Sequence, residues 1–236
     1  MRPATASGFA MFALASVALA AGGAHIVEDS EVLEPGLCQV DLWVARFDPG
    51  AGYANAAPTC TLTSLPRLEW GVQFQHYWFN EPQVADQLVG PNLKVNLVPE
   101  DKGVGVGLYF SSGVNLRTGD LEVATLLVPV TIPVNDHIRL NLNAGWQYLR
   151  LANTPDDLFW GAQVEAKVGG ETTLMFETFG RARGAAGAQA GIRWRPNDGP
   201  IDFDFLVGGS FDKVLAGEFL DKVSALFFTV GVTLRW

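Results

Sequence analysis

Ser224-Ala225-Leu226-Phe227-Phe228-Thr229-Val230-Gly231-Val232-Thr233-Leu234-Arg235-Trp236 decides the fold. Read back from Trp236 in steps of two, it gives Leu234, Val232, Val230, Phe228 and Leu226, an unbroken apolar row. The row between, Arg235, Thr233, Gly231 and Thr229, is small, polar or charged until it reaches Phe227. Period-two alternation of this length predicts a β-strand with one apolar and one wet face. An edge strand of a soluble sandwich would alternate in the same way, so the rest of the chain has to choose.

Moving upstream, the same grammar recurs. Leu68, Trp70, Val72, Phe74, His76 and Trp78 form one row against Arg67, Glu69, Gly71, Gln73, Gln75 and Tyr77. Leu93, Val95 and Leu97 oppose Asn92, Lys94 and Asn96, and Val104 to Phe110 alternates with Gly103, Gly105, Gly107 and Tyr109. Ile138 to Tyr148 sets Arg139, Asn141, Asn143, Gly145 and Gln147 on its wet face; Leu158 to Val168 sets Gln163, Glu165 and Lys167 there. Leu174 and Phe176 oppose Glu171, Thr173 and Glu177; Ala188 to Trp194 opposes Gln189, Gly191, Arg193 and Arg195; Ile201 to Val207 opposes Asp202 and Asp204. Residues 120–130 are apolar on both faces, so their register is not readable.

The connections separate the two readings. Short turns at Pro99 to Lys102, Pro133 to Asp136, Gly169-Gly170 and Pro196 to Pro200 alternate with connections expected at 79–88, 113–119, 150–157, 179–186 and 211–222. Short inner turns and longer outer loops predict a closed antiparallel transmembrane β-barrel. Ten strands run from Arg67 to Trp236 and a hairpin upstream adds two, so the expectation is a twelve-stranded barrel, or ten strands with a periplasmic hairpin. Either even number places both termini in the periplasm. Trp70, Trp78, Trp146, Trp160, Trp194 and Trp236 fall on apolar rows where an aromatic girdle would meet the membrane interfaces. The row Leu226, Phe228, Val230, Val232, Leu234 and Trp236 resembles the C-terminal signal by which the barrel-assembly machinery recognises such proteins for insertion.

The N-terminus agrees. Arg2, the apolar run Phe9 to Ala20 and the small residues to Ala24 predict a secretory signal peptide over residues 1–24. Residues 25–36 read as a periplasmic arm and residues 37–236 as the barrel, exported through the periplasm to a bacterial outer membrane and surrounded by its lipid. No later stretch approaches the roughly 20 apolar residues of a membrane helix. Yet 48% of residues are hydrophobic, 17% are charged and the mean hydropathy is +0.17. The net charge of -9 argues against a nucleic-acid partner, whose phosphates need a basic face.

The only cysteines, Cys38 and Cys60, flank Asp48-Pro49-Gly50. A hairpin centred on Pro49 sets them directly opposite, and an even pair in an exported chain predicts a disulfide. Pro58 is tolerable on the return strand only near an end or on an unpaired side.

Glu31-Val32-Leu33-Glu34-Pro35-Gly36-Leu37-Cys38-Gln39-Val40-Asp41-Leu42-Trp43, Pro58-Thr59-Cys60 and Leu68-Glu69-Trp70-Gly71 give the chain a resemblance to the outer-membrane proteins of the phenol-degradation meta-pathway, a group of transporter-like barrels. The resemblance covers the N-terminal third by motif and implies uptake of small, often aromatic molecules. It transfers no binding residues.

With the apolar rows in lipid, the lumen receives Arg67, Glu69, Gln73, Gln75, Lys94, Arg139, Gln147, Gln163, Glu165, Lys167, Glu171, Glu177, Arg193, Arg195, Asp202 and Asp204. Their signs nearly balance, which suits either a selectivity lining or a stapled, partly filled interior. Twelve strands leave room for a narrow pore or a small-ligand cavity. The expectation is therefore a narrow channel or transporter for small solutes, with a structural or surface-ligand-binding barrel of closed lumen as the alternative. An enzyme is not expected: His25, His76 and His137 are scattered, and no G-x-S-x-G motif occurs. The same scatter predicts no metal site, and nothing calls for a cofactor.

Overall fold

The computed structural model describes residues 24–47, 50–79, 84–150, 152–184, 186–211 and 223–236. The expected signal peptide lies outside the described residues except for Ala24. Twelve strands run in chain order: β1 (Cys38–Phe47), β2 (Gly52–Thr61), β3 (Leu68–Phe79), β4 (Val84–Val98), β5 (Gly105–Asn115), β6 (Leu121–Pro133), β7 (Ile138–Leu149), β8 (Asp156–Lys167), β9 (Thr172–Arg181), β10 (Ala186–Trp194), β11 (Ile201–Phe211) and β12 (Val223–Arg235). Every strand pairs antiparallel with its neighbours, and β1 pairs with both β2 and β12 to close the barrel. The cysteine hairpin is thus part of the wall, and the ten-strand alternative is excluded.

The distribution of polarity is inside out. Phe74, Phe176, Phe205 and Phe228 are half exposed on the outer surface, while Asn141, Gln147, Glu177 and Asp202 are fully buried within. A continuous apolar outer belt is tenable only in hydrocarbon. Burial also resolves β6, where the sequence was mute: Thr125, Leu127, Pro129 and Thr131 point inward and Leu126 and Val128 outward.

Cys38 lies opposite Cys60 as the Pro49-centred hairpin requires, and the two form a disulfide. Pro58 sits on the outer face of β2 opposite Val40. The tryptophans divide into two tiers by strand direction: Trp70, Trp194 and Trp236 near the end that carries the C-terminus, Trp78, Trp146 and Trp160 near the other.

The expected contrast in loop length is corrected. Outer connections at 80–83, 116–120, 150–155 and 182–185 are no longer than inner ones at 62–67, 99–104 and 195–200, and 212–222 alone is long. The pairing continues into what reads as loop: β4 begins at Val84 and keeps its ladder with β3 and β5 over a 15-residue strand.

Candidate functional site: the lumen and the arm that crosses it

Residues 25–36 are expected as a periplasmic arm, and its first half, 25–30, corrects that expectation. Ala24 to Ser30 lie inside the lumen, and all but Asp29 are buried. They carry main-chain groups that need partners, and inward-facing side chains supply them. The carboxylate of Glu177 on β9 accepts the N–H groups of Ile26 and Val27, 2.9 Å each, and its other oxygen meets His25 Nδ1 at 2.7 Å. Asn143 on β7 both accepts from Glu28 N–H (2.8 Å) and donates to Glu28 C=O (2.7 Å). Thr131 on β6 accepts from Ser30 N–H, Asn96 on β4 donates to Ser30 C=O, and Glu69 on β3 accepts from Leu33 N–H. The arm therefore crosses the barrel from β9 to β3, held by side chains rather than by a strand ladder.

The wall is shaped to admit it. A Cβ at Gly105 would fall 2.3 Å from Ser30 Oγ, one at Gly161 2.8 Å from Val27 Cγ2, and one at Gly231 2.9 Å from the Ala24 methyl. Those glycines are absent side chains where the arm passes.

Around the arm, charges are matched. Lys94 reaches Glu28 at 2.7 Å and Asp29 at 3.2 Å; Arg139 reaches Glu31 at 2.8 Å and Glu165 at 3.2 Å. Arg193 pairs with Asp204 at 2.9 Å, and Arg195 and Arg235 converge on Asp202 at 2.6 Å each. Burial would lower the pKa of His25, but the Asp204 charge and the hydrogen bonds that His25 donates to Asp204 and Glu177 outweigh it and raise it to about 10. Burial pushes Glu28 up to about 7 against the pull of Lys94. In the turn before β5, burial likewise pushes Glu100 up to about 7, against Arg139.

Two regions result. Towards the termini, a cavity of about 780 Å³ is lined by Asp41, Thr59, Glu69, Lys94, Tyr109, Arg139, Arg193 and Arg235 among others. Towards the outer end, Trp43, Phe47, Tyr53, Phe159, Phe179 and Phe227 pack with Leu127, Leu206, Ala24 and Ile26 in one apolar cluster. Phe47 and Phe227 stand 5.3 Å apart, ring to ring. In the wall beside them, Asn55 and Gln147 are buried with both amide atoms lacking a protein partner.

Of the sixteen candidates for the lumen, Glu69, Gln73, Gln75, Gln147, Gln163, Glu177, Asp202 and Asp204 are buried in it. Lys94, Arg139, Glu165, Arg193 and Arg195 are partly buried there, lining the cavity. Three differ. Lys167 is the exposed last residue of β8, at the cavity mouth. Arg67 and Glu171 lie one residue before β3 and β9, exposed in inner turns; Glu171 still lines the cavity mouth and accepts from the outward Trp194 Nε1 at 3.3 Å. Alternation counted past a strand end assigns a face that the backbone no longer has. The docking of the arm in the lumen and the role of His25 were missed, and the signal available was the set of small inward residues Gly105, Gly107, Gly161 and Gly231.

Residues 10–236 match the family described as "Uncharacterised conserved protein UCP029691". The chain belongs to that family. No curated protein matches the sequence. The KdgM porin superposes with a TM-score of 0.61 at 9% identity, covering 83% of this chain and 98% of that one. The NanC porin gives 0.58 at 10% identity over 83% and 98%. Outer membrane phospholipase A from Escherichia coli gives 0.51 at 12% identity over 88% and 93%. At such identities the likeness is one of fold: a closed, porin-type transmembrane β-barrel. Porins and a phospholipase share it, so function has to be argued from the interior.

Proposed function

We propose that this protein is a narrow outer-membrane channel for small solutes, closed at rest by its own N-terminal arm. The observation that carries the reading is that residues 24–30 fill a lumen recessed for them, yet are held by side-chain hydrogen bonds. A segment held in this way can leave without unzipping the wall. The porin fold of two structural neighbours supports a conduit. The aromatic lining of the outer half suits solutes with an apolar or aromatic body, in keeping with the resemblance to the phenol-degradation barrels.

The same aromatic cluster favours a second reading, a closed barrel whose outer loops bind a surface ligand. Swelling of vesicles containing the refolded protein separates the two. Solute entry that rises when the arm is removed supports the channel, and impermeable vesicles in both cases support the closed barrel.

Among the described residues, the surroundings of His76 and His25 favour a channel over a hydrolase. His76 faces outward beside Trp78, and its neighbours in register are Ala54 and Gln87, neither a nucleophile. His25 is committed to Glu177 and Asp204.

A further inference from the structure

On one wall of the cavity two carboxylates lack an ion pair. Asp41 on β1 and Glu69 on β3 are both buried and both face inward. Among the described residues neither has a cation within ion-pair distance. Lys94 stands opposite Glu69 in register but gives its ammonium to Glu28 and Asp29. Arg235, two residues beyond the Thr233 that faces Asp41, gives its guanidinium to Asp202. The carboxylates do receive neutral donors: Thr233 Oγ1 and Gln39 Nε2 at Asp41, Leu33 N–H at Glu69. A buried carboxylate served only by neutral donors still lacks the partner that makes a buried charge tolerable.

Thr59 on β2 lies between them. It faces Gln39 on one side and Gly71 on the other, so Asp41 and Glu69 are both diagonal neighbours of it on the inner face, each about 7–8 Å away between Cα atoms. Its side chain is buried and lines the cavity, and its Oγ1 has no hydrogen-bond partner. Two carboxylates without an ion pair and an unused hydroxyl thus converge on a chamber of about 780 Å³. That volume exceeds what a bare metal ion needs.

We propose that this wall binds the positively charged head of a small organic amine, with Asp41 and Glu69 as counter-charges and Thr59 Oγ1 accepting an ammonium N–H. The inference rests on the channel reading for its role in transport, but binding itself needs no open pore.

Equilibrium titration of the refolded, full-length barrel in detergent tests it with probes of one shape and three charges: benzylamine, benzyl alcohol and benzoate, with calcium as a fourth. Benzylamine binding at least tenfold tighter than benzyl alcohol, with benzoate not binding, is the expected result. Glu69→Gln keeps an acceptor for Leu33 N–H and should weaken benzylamine at least tenfold, as should Asp41→Asn; Thr59→Val should weaken it severalfold. Asp101→Asn, exposed in the turn before β5 and outside the cavity lining, should leave it unchanged. Equal affinity for amine and alcohol, no amine binding, or amine binding untouched in folded Glu69→Gln or Thr59→Val overturns the assignment. Calcium binding at the wall while the amine does not bind overturns the organic ligand. A barrel that binds benzylamine yet never conducts contradicts the channel reading alone.

Discussion

Cys38 and Trp236 exchange both main-chain hydrogen bonds, 3.0 Å in each direction, so the disulfide-bearing residue of the first strand meets the last residue of the chain across the seam. Cys38 is bonded on its other side to Cys60. The barrel is therefore fastened at one level by a covalent link, a ladder pair and an inner-girdle aromatic.

Trp236 is 65% exposed, so replacing it by serine removes an interfacial anchor without opening a core. Trp236→Ser should keep its main-chain seam yet assemble poorly. Outer-membrane levels well below those of the parent are expected in cell fractions. Equal levels would dismiss the side chain as an insertion signal.

The disulfide closes a sequence separation of 22 residues, for which chain-entropy arguments give roughly 3 kcal/mol. The Cys38→Ala, Cys60→Ala pair should lower stability to denaturant by up to about that amount. It should still close, because the β1–β12 and β1–β2 ladders do not depend on sulfur. Urea titration of the refolded barrels measures the loss.

Much of this architecture was legible because the membrane enforces alternation on every strand: the outward row from Leu226 to Trp236 and the Cys38–Cys60 register follow from counting by two. β6 was unreadable because Leu126, Leu127 and Val128 are apolar whichever way they face, and only the neighbouring strands fix which one is buried. The docking of the arm was illegible for a different reason. Its partners Glu177, Asn143, Thr131 and Asn96 are far away in sequence, and a segment without a ladder has no period to read.

Gly105 tests whether the recess matters. A leucine there would drive its Cβ into Ser30 while leaving the outer face of β5 unchanged. Gly105→Leu should expose the arm to added protease and raise solute leakage, with the heat-modifiable gel shift of a folded barrel retained. An arm as protected as in the parent would show that the recess is not used.

His25 gives docking a pH dependence of definite sign. Its pKa rises from 6.5 to about 10 on docking, so its contribution is complete below pH 6.5 and is lost as pH rises through about 10. Glu28, raised from 4.5 to about 7, acts with the same sign in a lower window, being complete below pH 4.5 and lost through about 7. Protease protection of the arm should fall with rising pH in both windows, and His25→Gln should flatten the upper one. A fall between pH 6.5 and 10 that is identical in His25→Gln would assign it to other groups.

Planar-bilayer conductance of the intact protein beside a barrel lacking residues 25–33 tests the central claim most directly. Rare or absent openings for the intact chain and discrete, frequent openings for the shortened one are the predicted result. A shortened barrel that folds, inserts and stays silent would contradict it, and would mean that Trp43, Phe159, Phe179 and Phe227 close the lumen by themselves.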